Sequence, residues 1–393
     1  MTQPLPSSAR AGFGFRVTHT GPDDPGARRA RVGVFKTPHG DVQTPAFMPV
    51  GTRGSIKGVL PRDIAAVGST MILANTLHLH LRPGEDTVAK LGGLHRFMGW
   101  DGPILTDSGG YQVFSMADIS DLDEGGVTFK SIVDGDRVRF TPERAVEIQR
   151  ALGPDVFMAF DHCPADPHDR DQVAAATDRT HRWLERCARR FDEDGGVEGT
   201  GQALFGIVQG GAFDDLRAAS VEAVAAHGFV GNAIGGVSVG EDRDAMRAAV
   251  AAAAPRLPAD RPRYLMGVGT PADFFDAIAE GVDLFDCVTP TRHGRTHQVW
   301  TSAGRINLRN SGWKDCVEPL DPVFRAPHVA DFPIGVLRHL CLSHEMLGAS
   351  LLSLHNLHLF HELMRMIREA IPEGRLGALR DEWVPRLSAK RTP

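Results

Sequence analysis

YLMGVGTPADFFDAIAEGVDLFDCV, residues 264–288, holds one whole strand–helix–strand unit. The apolar run YLMGVG closes on glycine, and Thr270 then stands where a helix N-cap belongs. Pro271 follows in the first turn and Gly281 is the stop. A second apolar run, LFDCV, comes next. Near-continuous apolar runs of this length suit parallel strands covered on both faces. Working outward, the same kind of run recurs as AFMPVGT (46–52), MILANT (71–76), PILTDSGG (103–110), VFMAFD (156–161), LFGIVQGG (204–211) and NAIGG (232–236). Helical segments lie between most of them. TPERAVEIQRALG (141–153) repeats the Thr–Pro start and the Gly stop, and LPRDIAAVG (60–68) resembles it. Eight strand candidates with interleaved helices predict an α/β fold, a (β/α)8 TIM barrel rather than a doubly wound sheet. No Gly-x-Gly-x-x-Gly follows the first strand, which weakens a dinucleotide-binding reading.

The remaining segments fall outside the repeat. FRVTHT and ARVGVFKTPHGDVQTP alternate apolar and polar residues and turn at His39-Gly40, which predicts a β-hairpin cap over one barrel end. DEDGGVEGTG (192–201) reads as a polar loop. HQVWTSAGRINLRN (297–310) reads as a strand pair turning at Ala303-Gly304, with helical patterns from Ile334 to Arg368. No long linker precedes these, so the expectation is one domain, 12–375. It includes 290–370 as a nucleic-acid-binding loop with an appended C-terminal subdomain, and 1–11 and 376–393 as tails. A net charge of -6 excludes a globally basic nucleic-acid binder but allows a local cationic patch. The five cysteines are scattered without a C-x-x-C pair, which argues against a disulfide scaffold. No apolar run fits a signal peptide or the roughly 18 residues of a membrane span. A cytoplasmic protein is expected.

In such barrels chemistry collects at the carboxyl ends of the strands. Those ends carry Asp107, Asp161, Gln209, Gly235-Gly236, Met266-Gly267 and Asp286. A lone strand-end aspartate is often only a helix cap. Three of them with a glutamine, on four strand ends, would leave costly charges in an apolar mouth unless they serve a site. Two carboxylates facing one pocket are the minimum for displacement at a sugar anomeric carbon, one as nucleophile and one as proton carrier. A third beside a glutamine suits guanine, whose N1 and N2 donors match a carboxylate and whose O6 matches an amide or backbone N–H. Between Asp286 and Asp315 there is no acidic residue, while Arg292, Arg295, Arg305, Arg309 and Lys314 fall in that interval. The reading is either a solvated loop or a phosphate-binding face beside the nucleophile.

These residues carry a resemblance. ILTDSGGYQVFS, FMAFDHCP, LFGIVQGG, AIGGVSVGE, YLMGVGTP and FDCVTPTR resemble, in order, the signature segments of bacterial queuine tRNA-ribosyltransferases, the tRNA-guanine transglycosylases, over Phe15 to Arg368. The resemblance implies a pentosyltransferase of queuosine biosynthesis. It would exchange the wobble guanine of GUN-anticodon tRNAs for 7-aminomethyl-7-deazaguanine. It further implies Asp286 as nucleophile, through a covalent ribose intermediate, and Asp107 as general acid/base. Asp161, Gln209 and the Gly236 N–H would read the base, with Ser108 and Cys163 in the same pocket and Tyr111 and Met266 sandwiching the ring. Arg292 and Arg295 would contact the tRNA anticodon loop, and the protein would be a homodimer. Val239 resembles the bacterial type, which takes the smaller base. His162 stands where a glutamate is usual, and Val237 where a leucine is common.

One departure stands out. The family's zinc site is a C-x-C-x-x-C run with a later histidine. His355 matches the histidine, but the cysteine places fall on Phe324, Ala326 and Val329. One imidazole is short of the roughly four ligands a structural zinc needs, so no metal is expected there and no cofactor at all. His339, Cys341 and His344 copy the spacing, but GVLRHLCLSHEML reads as a helix on which residues two apart diverge. Phe324 and Val329 are expected to pack where the metal would be. Three other readings stay open: base exchange in another polynucleotide such as DNA, a hydrolytic N-glycosidase, and a partner subunit that only binds.

Overall fold

The computed structural model describes residues 12–21, 29–116, 118–237 and 243–393. Three antiparallel strands come first: β1 (Gly14–Thr20), β2 (Arg31–Thr37) and β3 (Gly40–Thr44). The barrel opens with β4 (Ala46–Gly51), β5 (Ile72–Ala74) and β6 (Ile104–Thr106). A second antiparallel sheet interrupts it: β7 (Asp118–Asp123), β8 (Gly126–Lys130) and β9 (Arg137–Phe140). The barrel resumes with β10 (Val156–Met158), β11 (Ala203–Val208), β12 (Asn232–Ile234), β13 (Arg263–Leu265) and β14 (Leu284–Cys287). β14 pairs with β4 and β10 with β6, closing a ring of eight parallel strands. All eight strands fall on the eight apolar runs. The hairpin β15 (Gln298–Thr301) and β16 (Gly304–Asn307) follows, turning at Ala303 and Gly304.

β1–β3 seal the amino-terminal end of the barrel. Phe35 is fully buried with its ring 6.0 Å from that of Phe205 in β11. Arg31 binds Asp283 through two hydrogen bonds, at 3.0 and 2.6 Å, just ahead of β14. Asp283 is fully buried, so the pair is a register pin rather than a surface bridge. With the floor closed, the mouth at the other end is left to ligands.

The structure departs from the expectations in five places. The sheet β7–β9 was not foreseen. It docks on the helix Arg170–Glu193, where the Trp183 indole donates to Glu124 O at 3.1 Å. Residues 192–201 are not a loop: that helix runs on to Glu193, and a short helix Gly196–Thr200 sits between Gly195 and Gly201 in left-handed conformation, anchored by buried Val197. Residues 289–295 are helical, with Pro290 in the first turn. Residues 376–388 are no tail but a helix, Leu376–Ser388, that buries Leu376, Leu379, Trp383 and Leu387. The helix read through GVLRHLCLSHEML ends at Leu342, and a new one starts at Met346. His344 between them has φ 56°.

The appended part is continuous with the barrel. Phe360, on the helix Met346–Ala370, meets Phe47 of β4 at 5.2 Å, Phe274 at 5.4 Å and Trp300 of β15 at 5.3 Å, ring to ring. One apolar core therefore runs from the barrel wall into the hairpin.

Candidate active site

β14 delivers Asp286 to the mouth. Its Oδ1 accepts the Tyr264 hydroxyl at 2.6 Å and the Gly267 N–H at 2.7 Å, both from β13 and its extension. Among the described residues Oδ2 accepts nothing. The carboxylate is thus held by one oxygen and presents the other. Burial raises its pKa above the usual carboxylate range, and Tyr264 and the Gly267 N–H oppose that rise. Tyr264 stays a donor, because burial and the Asp286 charge push its hydroxyl well above 10.

β6 delivers Asp107. Its Oδ1 accepts the Thr76 N–H at 2.7 Å, and its Oδ2 accepts Asn75 Nδ2 at 2.6 Å and Gln112 Nε2 at 2.7 Å. Burial nevertheless pushes the Asp107 carboxyl up to about 6, against those donors, and the Asp286 charge adds to the rise. The two carboxylates therefore sense each other across the mouth. Two acids in one mouth, one of them with a pKa raised towards neutrality, are the arrangement that acid–nucleophile chemistry needs.

Asp161, past the end of β10, accepts Ser108 Oγ at 2.7 Å on Oδ1 and Gln209 Nε2 at 2.7 Å on Oδ2. Cys163 Sγ lies 3.8 Å from Oδ2. Burial raises the Asp161 pKa, against Ser108 and Gln209. Gly236 has φ 61°, and a Cβ there would come within 2.3 Å of Gln209 Oε1, so only glycine lets its backbone approach the amide. Ser108 and Gly110 interlock with Asp161 too: the Gly110 N–H donates to Ser108 Oγ at 3.0 Å. Tyr111 is 47% exposed at the rim and Met266 is half-buried. The His162 ring lies against Phe114 and Trp183, and burial with Arg179 lowers its pKa to about 4, so it is a neutral packing residue. Val237 is buried beside the mouth. Val239 lies outside the described residues.

Several supports went unforeseen. Asn75, Thr76 and Gln112 cradle Asp107. Arg217, fully buried, donates to the carbonyls of Gly211 at 2.7 Å, Gly235 at 2.7 Å and Gly236 at 2.8 Å. It thereby ties the ends of β11 and β12 together. The signal was present: Arg217 stands in line with Ser220, Val221 and Val224 on the buried stripe of its helix.

The helix Thr289–Arg295 follows Asp286 directly and is braced by Met346–Ala370. Asn356 Nδ2 donates to Pro290 O at 2.9 Å and to Gln298 O at 3.1 Å, and its Oδ1 accepts the Trp300 N–H at 3.1 Å. Arg292 is exposed, and Arg295 Nη1 is buried without a hydrogen-bond partner. Next to the helix lies a cavity of about 650 Å³ lined by Gly267, Val237, Thr289, His293, Trp300 and Arg305. It adjoins the carboxylates through Gly267 but is not walled by them, so it is a neighbouring space rather than the reaction centre.

The zinc position offers little to a metal. Phe324, Ala326 and Val329 are buried and have no donor atoms to give. His355 Nε2 is engaged by Trp300 O at 2.8 Å. Asp321 organises the segment instead, accepting Ser302 Oγ at 2.6 Å and the N–H groups of Val323 and Phe324 at 2.8 and 3.0 Å on Oδ1. The Phe324 ring packs 5.1 Å from that of Trp383.

Comparison with known proteins agrees with the fold. Residues 24–389 match the family model described as queuine tRNA-ribosyltransferase. A queuine tRNA-ribosyltransferase of Cereibacter sphaeroides is 48% identical over 93% of this chain and 94% of its own. One of Halothermothrix orenii is 47% identical over 91% of this chain and 94% of its own. One of Prochlorococcus marinus is 49% identical over 93% and 96%.

Proposed function

The chain belongs to the queuine tRNA-ribosyltransferase family, and on that premise we propose that it replaces the wobble guanine of GUN-anticodon tRNAs with 7-aminomethyl-7-deazaguanine. The observation that carries this reading is the pair of buried carboxylates in one mouth, Asp286 with one oxygen free and Asp107 with its pKa near 6. Asp286 Oδ2 attacks the anomeric carbon and the bond to guanine breaks. Asp107 gives its proton to the departing base, leaving a ribosyl ester on Asp286. The entering base returns a proton to Asp107 and displaces Asp286, so two inversions give retention. Asp161, Gln209 and the Gly236 N–H read the base edge, Ser108 and Cys163 hold Asp161, and Tyr111 and Met266 cover the ring faces. Extruding a base costs a few kcal/mol and is cheapest in a single-stranded loop.

Labelled-guanine exchange tests the reading directly. Incorporation into tRNA supports it, incorporation into DNA would shift the substrate, and release without incorporation would mean a hydrolase.

Arg292, exposed on the helix after Asp286, and half-buried Arg295 contact the anticodon-loop phosphates. Arg295→Ala is expected to raise KM for tRNA about tenfold, lower the slope of log affinity against log salt by about one, and leave kcat nearly unchanged. A kcat loss without a KM change would reassign it.

The appended part holds no zinc at His355, and its apolar filling takes over the metal's structural role. Phe324→Ala, which empties the space against Trp383, is expected to destabilise the protein by about 3–5 kcal/mol in denaturant titration. Stability unchanged by that substitution would refute the filling. Self-association into a homodimer is supported by exposed Val317, Val323, Val336, Leu342 and Met346 on this part. A cytoplasmic location goes with a tRNA substrate, and among the described residues no helix is long and apolar enough to cross a membrane.

A further inference from the structure

We infer that His39, His95 and Asp155 form a binding site for a borderline divalent transition-metal ion such as Zn2+, at the end of the barrel opposite the catalytic mouth. His39 sits in the turn between β2 and β3, His95 in the helix Gly93–Met98, and Asp155 immediately before β10. Three separate elements thus bring one donor atom each to a single point. Those atoms all lie within 4.8 Å of one another, and among the described residues no other group of three or more His, Cys, Asp or Glu side chains converges so closely.

The geometry is near that of a coordination shell. His39 Nδ1 is 2.7 Å from Asp155 Oδ1, and His95 Nε2 is 3.1 Å from Oδ2. The two rings stack with centroids 3.7 Å apart and planes 20° from parallel, which brings both nitrogens to the same carboxylate. A tetrahedral ion with bonds of about 2.0–2.1 Å sets its ligands roughly 3.3–3.4 Å apart. Both His–carboxylate distances fall short of that by less than an ångström. Two imidazoles and one carboxylate are the donor set of borderline ions, not of Ca2+ or Mg2+.

Two further features fit. The Ile104 N–H donates to Asp155 Oδ2 at 2.8 Å, an outer contact of the kind that orients a ligating carboxylate. The Asp155 side chain is fully buried, whereas that of His39 is 44% exposed, so an ion enters from solvent and water completes the shell. The bound ion would clip the β2–β3 turn to the barrel floor. It stands apart from the His355 position and from the base-exchange chemistry, since Asp155 and Asp161 lie at opposite ends of β10.

The full-length protein, stripped with chelator, reloaded with Zn2+ and dialysed, is assayed for metal per chain. Wild type and His355→Gln are expected to keep one equivalent, and His39→Gln and His95→Ala to lose it. Co2+ in its place is expected to give a visible ligand-field band, and Zn2+ to raise the melting temperature, only in the two that bind. Base exchange persists in His39→Gln, whose exposed position leaves the fold intact. No bound equivalent in the wild type, retention by both His39→Gln and His95→Ala, or loss in a folded His355→Gln alone would each overturn the site.

Discussion

Asp286→Asn is expected to form no covalent adduct with tRNA and to lose exchange activity by at least about 10⁴-fold, with tRNA affinity changed little. The expectation follows from how the two carboxylate oxygens divide their work. Oδ1 receives both hydrogen bonds, from Tyr264 and from the Gly267 N–H. An amide oxygen can still accept both, so asparagine fits the position with its NH2 where Oδ2 was. What is lost is the anionic oxygen that attacks the sugar. The fold should be at least as stable at neutral pH, because a buried charge with a raised pKa has been removed. Denaturing gel analysis of enzyme mixed with tRNA, alongside a binding titration, measures both halves. An adduct at wild-type yield would remove Asp286 from the mechanism. Weak binding with normal chemistry would make it a structural residue.

What the sequence could and could not reveal divides along the range of the forces involved. The barrel strands were legible because each is a short apolar run buried on both faces and each ends where the chain turns polar at the mouth. Asp107, Asp161, Gln209 and Asp286 were legible for the same reason: they are the charged or amide groups at or just past the carboxyl ends of those runs. β7–β9 was not, since DISDLD mixes acids into its alternation and has no apolar run to mark it. The helix Thr289–Arg295 was read as a loop because Thr, Pro, His and Gly are poor helix formers. It is held from far along the chain by Asn356, whose amide bonds Pro290 O and Gln298 O. The last helix was hidden by Pro385 inside it, yet Trp383 supplies a ring that packs on Phe324. The supports of the site were least legible. Asn75, Thr76 and Gln112 are unremarkable polar residues until β5 and β6 lie side by side and aim them at one carboxylate.

Asp107→Asn should separate proton transfer from attack. Asparagine has no proton to give the departing guanine, so adduct formation is expected to slow by about 10²–10⁴-fold while Asp286 remains able to attack. The pH dependence carries the more specific signature. Adduct formation needs Asp107 protonated, and its carboxyl sits at about 6. In single turnover without an entering base, the wild-type rate should therefore fall up to tenfold per pH unit above about 6. The variant should lack that limb. Stability gives an independent check, with its sign fixed by the same shift. The folded pKa of about 6 stands above the ordinary 3.8, so the unfolded chain releases this proton first as pH rises. The favourable contribution is whole below pH 3.8 and is lost through about 6. The full loss is roughly 3 kcal/mol, of which about 1–1.5 falls between about pH 5 and 7.5. Asparagine does not titrate, so the variant should gain on the wild type by that amount over the same interval. Its absolute stability is offset by the two Oδ2 donors, Asn75 Nδ2 and Gln112 Nε2, now facing an NH2; Gln112 can relieve its share by turning its unpartnered Oε1 inward. Melting curves at the two pH values give the difference without needing that offset. A stability gap that stays constant with pH, together with a wild-type rate flat across pH 6, would mean that Asp107 keeps an ordinary carboxylate pKa and cannot be the acid.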